Sequence, residues 1–270
     1  FNTLLGPEDQ AGSLIALVLL TSVGTWGLPQ MMHKFFAIRD QKAIKQATVI
    51  STAFCLILAG GAYFAGSFGR QILGGVVPEG GLDAVMPAVF LSEAVNMPDV
   101  LVGLIVVLVL SASVSTLTAL VLSSASSIAI DLCGTLLPKM KPARQTWLMR
   151  ALCIVFVILS LVIAFGMQDT PIVTLMSFSW GTLAGAFLAP FLYGLLWKGV
   201  TRAGAFAGVI GGALISLLPP LLTGDMSLAP MSGAAAMACG LVIVPVVSAL
   251  TKRTAYGPAH IAAIFGEQRA

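Results

Sequence analysis

Seven stretches of this chain, near residues 12–32, 47–68, 100–130, 147–167, 171–197, 203–222 and 229–250, are apolar and carry no charge in their middle. A helix rises ~1.5 Å per residue, so about twenty such residues cross a hydrocarbon layer ~30 Å thick. Hydrophobic residues make up 58% of the chain and charged ones 9%, against roughly 25% charged in a soluble domain. Too few polar groups are present to cover a surface in water, whereas lipid solvates apolar faces. The sequence therefore predicts an all-α integral membrane protein of about seven transmembrane helices.

Charge placement supports that number. When the connecting segments are assigned to alternate sides, Lys34, Arg39, Lys42, Lys45, Lys139, Lys141, Arg144, Arg150, Lys198, Arg202, Lys252, Arg253 and Arg269 all fall on one side, and of the 14 Lys and Arg only Arg70 falls opposite. The opposite segments collect Glu79, Asp83, Glu93, Asp99, Asp169 and Asp225. Cytoplasmic loops are the ones enriched in Lys and Arg. The basic side is thus expected to be cytoplasmic, with Phe1 outside and Ala270 inside. Phe1 in place of a start methionine, with no span before an outside N-terminus and no secretory signal, predicts a fragment whose earlier helices are missing.

Several chemistries are excluded. No carboxylate, lysine or arginine stands in the middle of a span, which removes the signature of intramembrane proton relays and voltage sensors. Cys55, Cys133, Cys153 and Cys239 are scattered without metal-ligand spacing and read as small packing residues. His33 and His260 sit far apart at cytoplasmic edges. With no nucleophile–base set or metal cluster within the bilayer, the chain is not expected to be an enzyme. An ion handled here would be held by neutral oxygens.

Three stretches are informative. The first span contains Gly24, Gly27 and Pro29. Proline removes a backbone donor and glycine lowers the cost of unwinding. This pattern fits either a broken transporter helix or a plain proline kink. The segment Leu82–Val95, apolar with isolated acids, suits a short amphipathic helix that acts as a lid or simply packs on the bundle. The third span would run ~48 Å from Val100 to Asp131 as one helix. Nine hydroxyls fall in its seventeen residues Ser111–Ser127. The stripe Ala112, Ser115, Thr116, Ala119, Ser123 and Ser126 is small throughout, which suits close approach to another helix. The Ala112 carbonyl and the Ser115 and Thr116 hydroxyls converge at i, i+3 and i+4. They offer neutral ligands for a monovalent cation, or they are packing and back-bonding residues. Three oxygens are too few for sodium, so a second element would have to supply the rest. In the sixth span Gly204, Gly208 and Gly212 form a repeated GxxxG face.

The run Ser111-Ala112-Ser113-Val114-Ser115-Thr116-Leu117-Thr118-Ala119-Leu120, continuing through Ser123-Ser124-Ala125-Ser126 to Asp131, resembles the signature helix of the sodium/solute symporter family. Gly24-Thr25-Trp26-Gly27-Leu28-Pro29-Gln30 with Lys34-Phe35-Phe36-Ala37 resembles a second landmark of that family. Phe191-Leu192-Tyr193-Gly194-Leu195-Leu196-Trp197-Lys198 with Ala203-Gly204-Ala205 resembles a third. The likeness runs from about Gly12 to Arg253. It implies the second half of a five-plus-five inverted-repeat (LeuT-like) core plus two extra helices. Residues 1–200 would be the second five-helix repeat, 201–250 two peripheral helices, and 251–270 a cytoplasmic tail. It also implies that Ala112, Ser115 and Thr116 bind the coupling ion, Na+, with the other ligands on a helix of the missing N-terminal half.

Gly27-Leu28-Pro29-Gln30 and Lys34-Phe35 depart from the family's frequent Gly-Gln-Pro-His and Arg-Phe, which leaves the solute open. Thr25, Trp26, Thr174 and Ser177 are the candidate solute contacts, each equally readable as ordinary packing. The expected function is sodium-coupled symport of a small solute across the plasma membrane, bacterial inner membrane by resemblance. The partners would be the solute, the lipid bilayer and the missing half, with no nucleic acid. A symporter-like sensor module and a sodium-permeable channel of the same fold are the alternatives.

The charge assignment has a direct test. With other cysteines replaced by serine, Glu79→Cys should react with a membrane-impermeant maleimide in intact cells, and Lys141→Cys only after permeabilisation. The opposite pattern would invert the topology.

Overall fold

The computed structural model describes residues 11–31, 38, 40–137, 140–168 and 170–251, whose regular structure is helical. In chain order the helices are α1 (Ala11–Ser22), α2 (Gln41–Ile72), the short α3 (Val85–Phe90), α4 (Asp99–Ser126), α5 (Pro142–Gly166), α6 (Ile172–Leu196), α7 (Arg202–Thr223) and α8 (Ala229–Leu250). A π-helical segment, Ser127–Leu132, and a last turn, Cys133–Leu136, prolong α4 without a break.

Among the described residues, six helices are long and apolar enough to cross a membrane: Gln41–Ile72, Asp99–Leu136, Pro142–Gly166, Ile172–Leu196, Arg202–Thr223 and Met226–Leu250. The first expected span differs, because α1 stops after 12 residues. A 3-10 turn, Gly24–Gly27, follows it, and Leu28 is extended at φ −78°, ψ 119°. The cause is Pro29, whose ring drives the residue before it out of the helical region. Helical structure resumes over residues 29–31. The span is therefore broken, not merely kinked.

Helix ends follow their local chemistry. Asp40 Oδ1 accepts the Ala43 amide at 2.7 Å ahead of α2, and Gly74 and Gly75 stop that helix at φ 63° and 80°. Thr201 Oγ1 accepts the Gly204 amide at 3.1 Å and caps α7. Gly224 ends α7 at φ 71°, and Asp225 then accepts the Ser227 amide at 2.9 Å. Hydrogen bonds from the Ser227 hydroxyl and amide hold the Asp225 carboxyl below its usual pKa.

The outer connection contains less helix than expected. Leu82–Ala84 is a 3-10 turn and α3 spans only six residues, giving way to turns before Val95. Val89 of α3 is buried, and a Cβ at Gly69 of α2 would lie 3.1 Å from it. The contact ties this short helix to the end of α2, as the packing alternative required.

The chain divides into two compact units: the described parts of Phe1–Ile57 with Thr170–Ala270, and of Leu58–Asp169. In the first, glycine holds the helices together. A Cβ at Gly212 of α7 would overlap the Gly185 carbonyl of α6, and one at Gly208 would overlap Val244 of α8. Gly204 lies against Ser248, and Gly181 of α6 meets Gly233 of α8 backbone to backbone. The expected GxxxG face is thus a contact surface with two helices at once. Hydroxyls finish the seam: Tyr193 donates to the Leu241 carbonyl at 2.9 Å, and Thr201 and Thr251 share a 2.8 Å bond. Leu20 of α1 packs with Ala184, Leu188 and Met237.

In the second unit α4 lies along α5, burying Val121, Ala125 and Ala129. The most apolar stretches of α2, α4 and α5 contain no buried residue. Leu56, Ile57, Leu108, Val109, Ile154 and Val162 are all exposed. Such surfaces are stable in lipid or against further protein, not in water. Cys55 and Cys239 are likewise exposed, while Cys133 and Cys153 are half-buried. His33, His260, Lys34–Ala37 and the tail after Thr251 lie outside the described residues.

The glycine seam predicts a contrast. Gly212→Ala should destabilise the protein by about 1–3 kcal/mol, the usual cost of overpacking. Gly103→Ala, with nothing within 4 Å of its added methyl, should be neutral or slightly stabilising. Thermal unfolding in detergent, followed by tryptophan fluorescence, distinguishes the two.

Candidate ion and solute sites

Along α4 the hydroxyls first solve a solvation problem. Ser115 Oγ and Thr116 Oγ1 both donate to the Ala112 carbonyl at 2.9 Å. Thr118 donates to Val114 O at 2.7 Å and Ser126 to Ser123 O at 2.9 Å. A hydroxyl bonded to its own helix carries its partner with it and needs none from lipid. The same geometry gathers three oxygens, because residues three and four apart share a face. Ala112, Ser115 and Thr116 are brought together as one patch, and all three are exposed. Each hydroxyl, with its proton on the carbonyl, keeps acceptor lone pairs facing outward. The patch is neutral and can take part in a cation site, but it is one helix's share of one.

Below this patch lies a feature that the sequence reading missed. At the end of the π segment the Cys133 amide bonds to the carbonyls of Ile128 and Ile130, passing over that of Ala129. Ala129 is fully buried, and its carbonyl accepts the Gln145 side-chain amide of α5 at 3.0 Å. No motif announces this. The only available signal was Gln145 itself, an amide near the start of an apolar span.

The four solute candidates belong to the other unit and do not form one cluster. Thr25 and Trp26 sit on the 3-10 turn that replaces the helix after Ser22. Gly24 of that turn packs near Ala184 and Gly27 against Leu188 of α6. Thr25 Oγ1 donates to Ser22 O at 3.0 Å, and Trp26 is 63% exposed. Thr174 and Ser177 stand one turn apart near the start of α6. Ser177 lies seven residues before Ala184, ~10 Å along the axis. Ser177 is fully buried, with its hydroxyl on Val173 O at 2.7 Å, and Thr174 is half-buried. Among the described residues no buried side-chain N or O lacks a partner, and no group of His, Cys, Asp and Glu has metal-site geometry.

A broken helix packed on a glycine-tight bundle, and hydroxyl oxygens gathered on an apolar helix, are features of membrane transporters that move solutes and ions past unwound backbone. The chain belongs to the sodium:solute symporter family, whose profile matches residues 8–212. It is 29% identical over 203 residues to the sodium/proline symporter of Haemophilus influenzae, covering 72% of this chain and 40% of that protein. To the sodium/proline symporter of Escherichia coli K12 it is 26% identical, covering 75% and 41%. To the sodium/pantothenate symporter of the same strain it is 27% identical, again covering 75% and 41%. The chain thus spans about 40% of the length of these curated relatives. They are transporters and not enzymes. No solved structure matches the chain.

The turn's packing makes a checkable distinction. A Cβ at Gly27 would stand 2.8 Å from the Leu188 backbone amide, so Gly27→Ala must push the turn off α6. It should lower the melting temperature by several degrees, as ~1–2 kcal/mol of overpacking does. Trp26→Ala, on the exposed side, should leave it nearly unchanged.

Proposed function

We propose that this chain is the second-half portion of a sodium-coupled symporter for a small solute, with Ala112, Ser115 and Thr116 contributing to the sodium site. The observation that carries this reading is the convergence of both hydroxyls on the Ala112 carbonyl, in the helix that resembles the family's signature. For all three oxygens to face one cation, the hydroxyl protons turn away from Ala112 O. The ion then takes the place of those two hydrogen bonds. Neutral oxygens suit an ion that must bind and leave again, whereas a cage of carboxylates favours a divalent ion.

The remaining ligands come from a helix outside this chain, in the N-terminal half of the same transporter. The architecture is the five-plus-five inverted repeat, with residues 1–200 as its second repeat and 201–250 as peripheral helices. The protein resides in a bacterial inner membrane with its C-terminus, and the tail 251–270, in the cytoplasm. Sodium bound at Ser115 and Thr116 bridges α4 to the absent helix and favours the outward-facing state. The solute binds beside the broken segment at Thr25 and Trp26, with Thr174 and Ser177 as further contacts, and rocking of one bundle carries both inward. Relatives named for proline and pantothenate symport point to a small organic carboxylate as the solute. No span of this half carries a cation in its middle to pair with it, so its recognition falls to hydroxyls, backbone amides or the other half.

Uptake into proteoliposomes containing the full-length transporter tests the reading. A labelled panel including proline and pantothenate is offered with and without a sodium gradient. Ser115→Ala/Thr116→Ala should weaken sodium activation at least about tenfold, given the strength of hydrogen-bond-type contacts to a charge. Ser113→Ala, one position round the helix, should not. Sodium-driven uptake that survives the double substitution would remove the ion assignment.

A further inference from the structure

The π segment Ser127–Leu132 and the side chain that meets it form an irregular element at the end of α4. In an unbroken α-helix the Cys133 amide would bond to the carbonyl four residues back, that of Ala129. Here it is shared between Ile128 O and Ile130 O instead. The buried Ala129 carbonyl is taken by Gln145 Nε2 at 3.0 Å. Gly134 lies beside the same nitrogen, and a Cβ there would make an ordinary contact with it at 3.6 Å.

We propose that Ser127–Leu132 is a register joint with two states, and that the Gln145 amide is the latch that holds it in the π state. With the latch bonded, Ala129 O is satisfied from α5 and the offset is stable. With the latch withdrawn, a buried carbonyl lacks its partner, and the nearest replacement donor is the Cys133 amide. Taking it back restores α geometry and turns the helix beyond the joint by about one residue, ~100°. Single π turns inside α-helices are frequent at functional sites. The end that turns is Cys133–Leu136, while Ala112, Ser115 and Thr116 lie on the other side of the joint. The joint stands whether or not sodium is the ion bound there.

Gln145 is a positioning residue, so its test separates donating a hydrogen bond from filling space. Cys133 is half-buried and sits where the turn would move it. In the full-length protein with every other cysteine replaced, the rate of Cys133 labelling by a maleimide is measured for four forms. Gln145→Glu keeps the shape without a donor, and Gln145→Met keeps the length without one. Gln145→Lys keeps a donor. Loss of the donor should change the labelling rate by roughly five- to tenfold, the population shift expected from one buried hydrogen bond, in Gln145→Glu and Gln145→Met alike. Gln145→Lys should stay close to the parent. Equal rates in all four forms would overturn the latch. Equal changes in all three variants would also overturn it, by making Gln145 a packing residue only.

Discussion

Lipid offers no hydrogen-bond partner, so each backbone N–H and C=O in a span must find one within the protein. For most of this chain the α-helix does that. Two places among the described residues where the backbone departs from the α-helical pattern are instructive. After Ser22 the backbone leaves the α-helix, and Leu28, the residue before Pro29, is extended. The freed groups are kept by a 3-10 turn, with the Trp26 amide on Val23 O at 3.1 Å and the Leu28 amide on Thr25 O at 3.4 Å. After Ser126 the register slips, and a side chain from the next helix takes the carbonyl that slips free. Each irregularity has its polar groups met within the protein, so it costs little to keep.

The same absence of water changes how helices adhere. Between spans in lipid no hydrophobic force favours contact, and association depends on close packing and on bonds between helices. That explains why the α6–α7–α8 seam is built from Gly181, Gly185, Gly204, Gly208, Gly212 and Gly233 and not from leucine. It also explains why hydroxyls finish it: Tyr193, Thr201, Ser248 and Thr251 all bond across it. Leucine, valine and isoleucine take the outer faces, where a soluble protein would place charge.

Serine and threonine have a double use in α4. Back-bonds from Ser115, Thr116, Thr118 and Ser126 to their own helix let four of its nine hydroxyls sit in an apolar span already partnered. The same back-bonds gather Ser115, Thr116 and Ala112 O into one patch. This duality limits what composition reveals, because a helix rich in hydroxyls looks alike whether they only solvate themselves or also hold an ion. Membership of the sodium:solute symporter family favours the second use. Ser177 is the contrasting case: buried and bonded to Val173 O, it could serve α6 alone.

The sequence by itself determined what the bilayer dictates residue by residue. It placed the five later spans to within a few residues at most ends, located an irregularity at Gly24–Pro29 without deciding between break and kink, and grouped Ala112, Ser115 and Thr116. These depend on apolar length, on backbone rules for glycine and proline, and on the helical period, all of which are local. Tertiary structure decided what depends on a partner distant in the chain. It cut the helix at Leu82–Val95 to six residues resting on Gly69, showed Gly208 caught between Val244 and Pro190, and left Thr25 and Trp26 apart from Thr174 and Ser177. Above all it decided the π turn. Nothing in Ile128, Ala129 and Ile130 marks a change of register, and the side chain that meets the π turn, Gln145, lies sixteen residues on from Ala129.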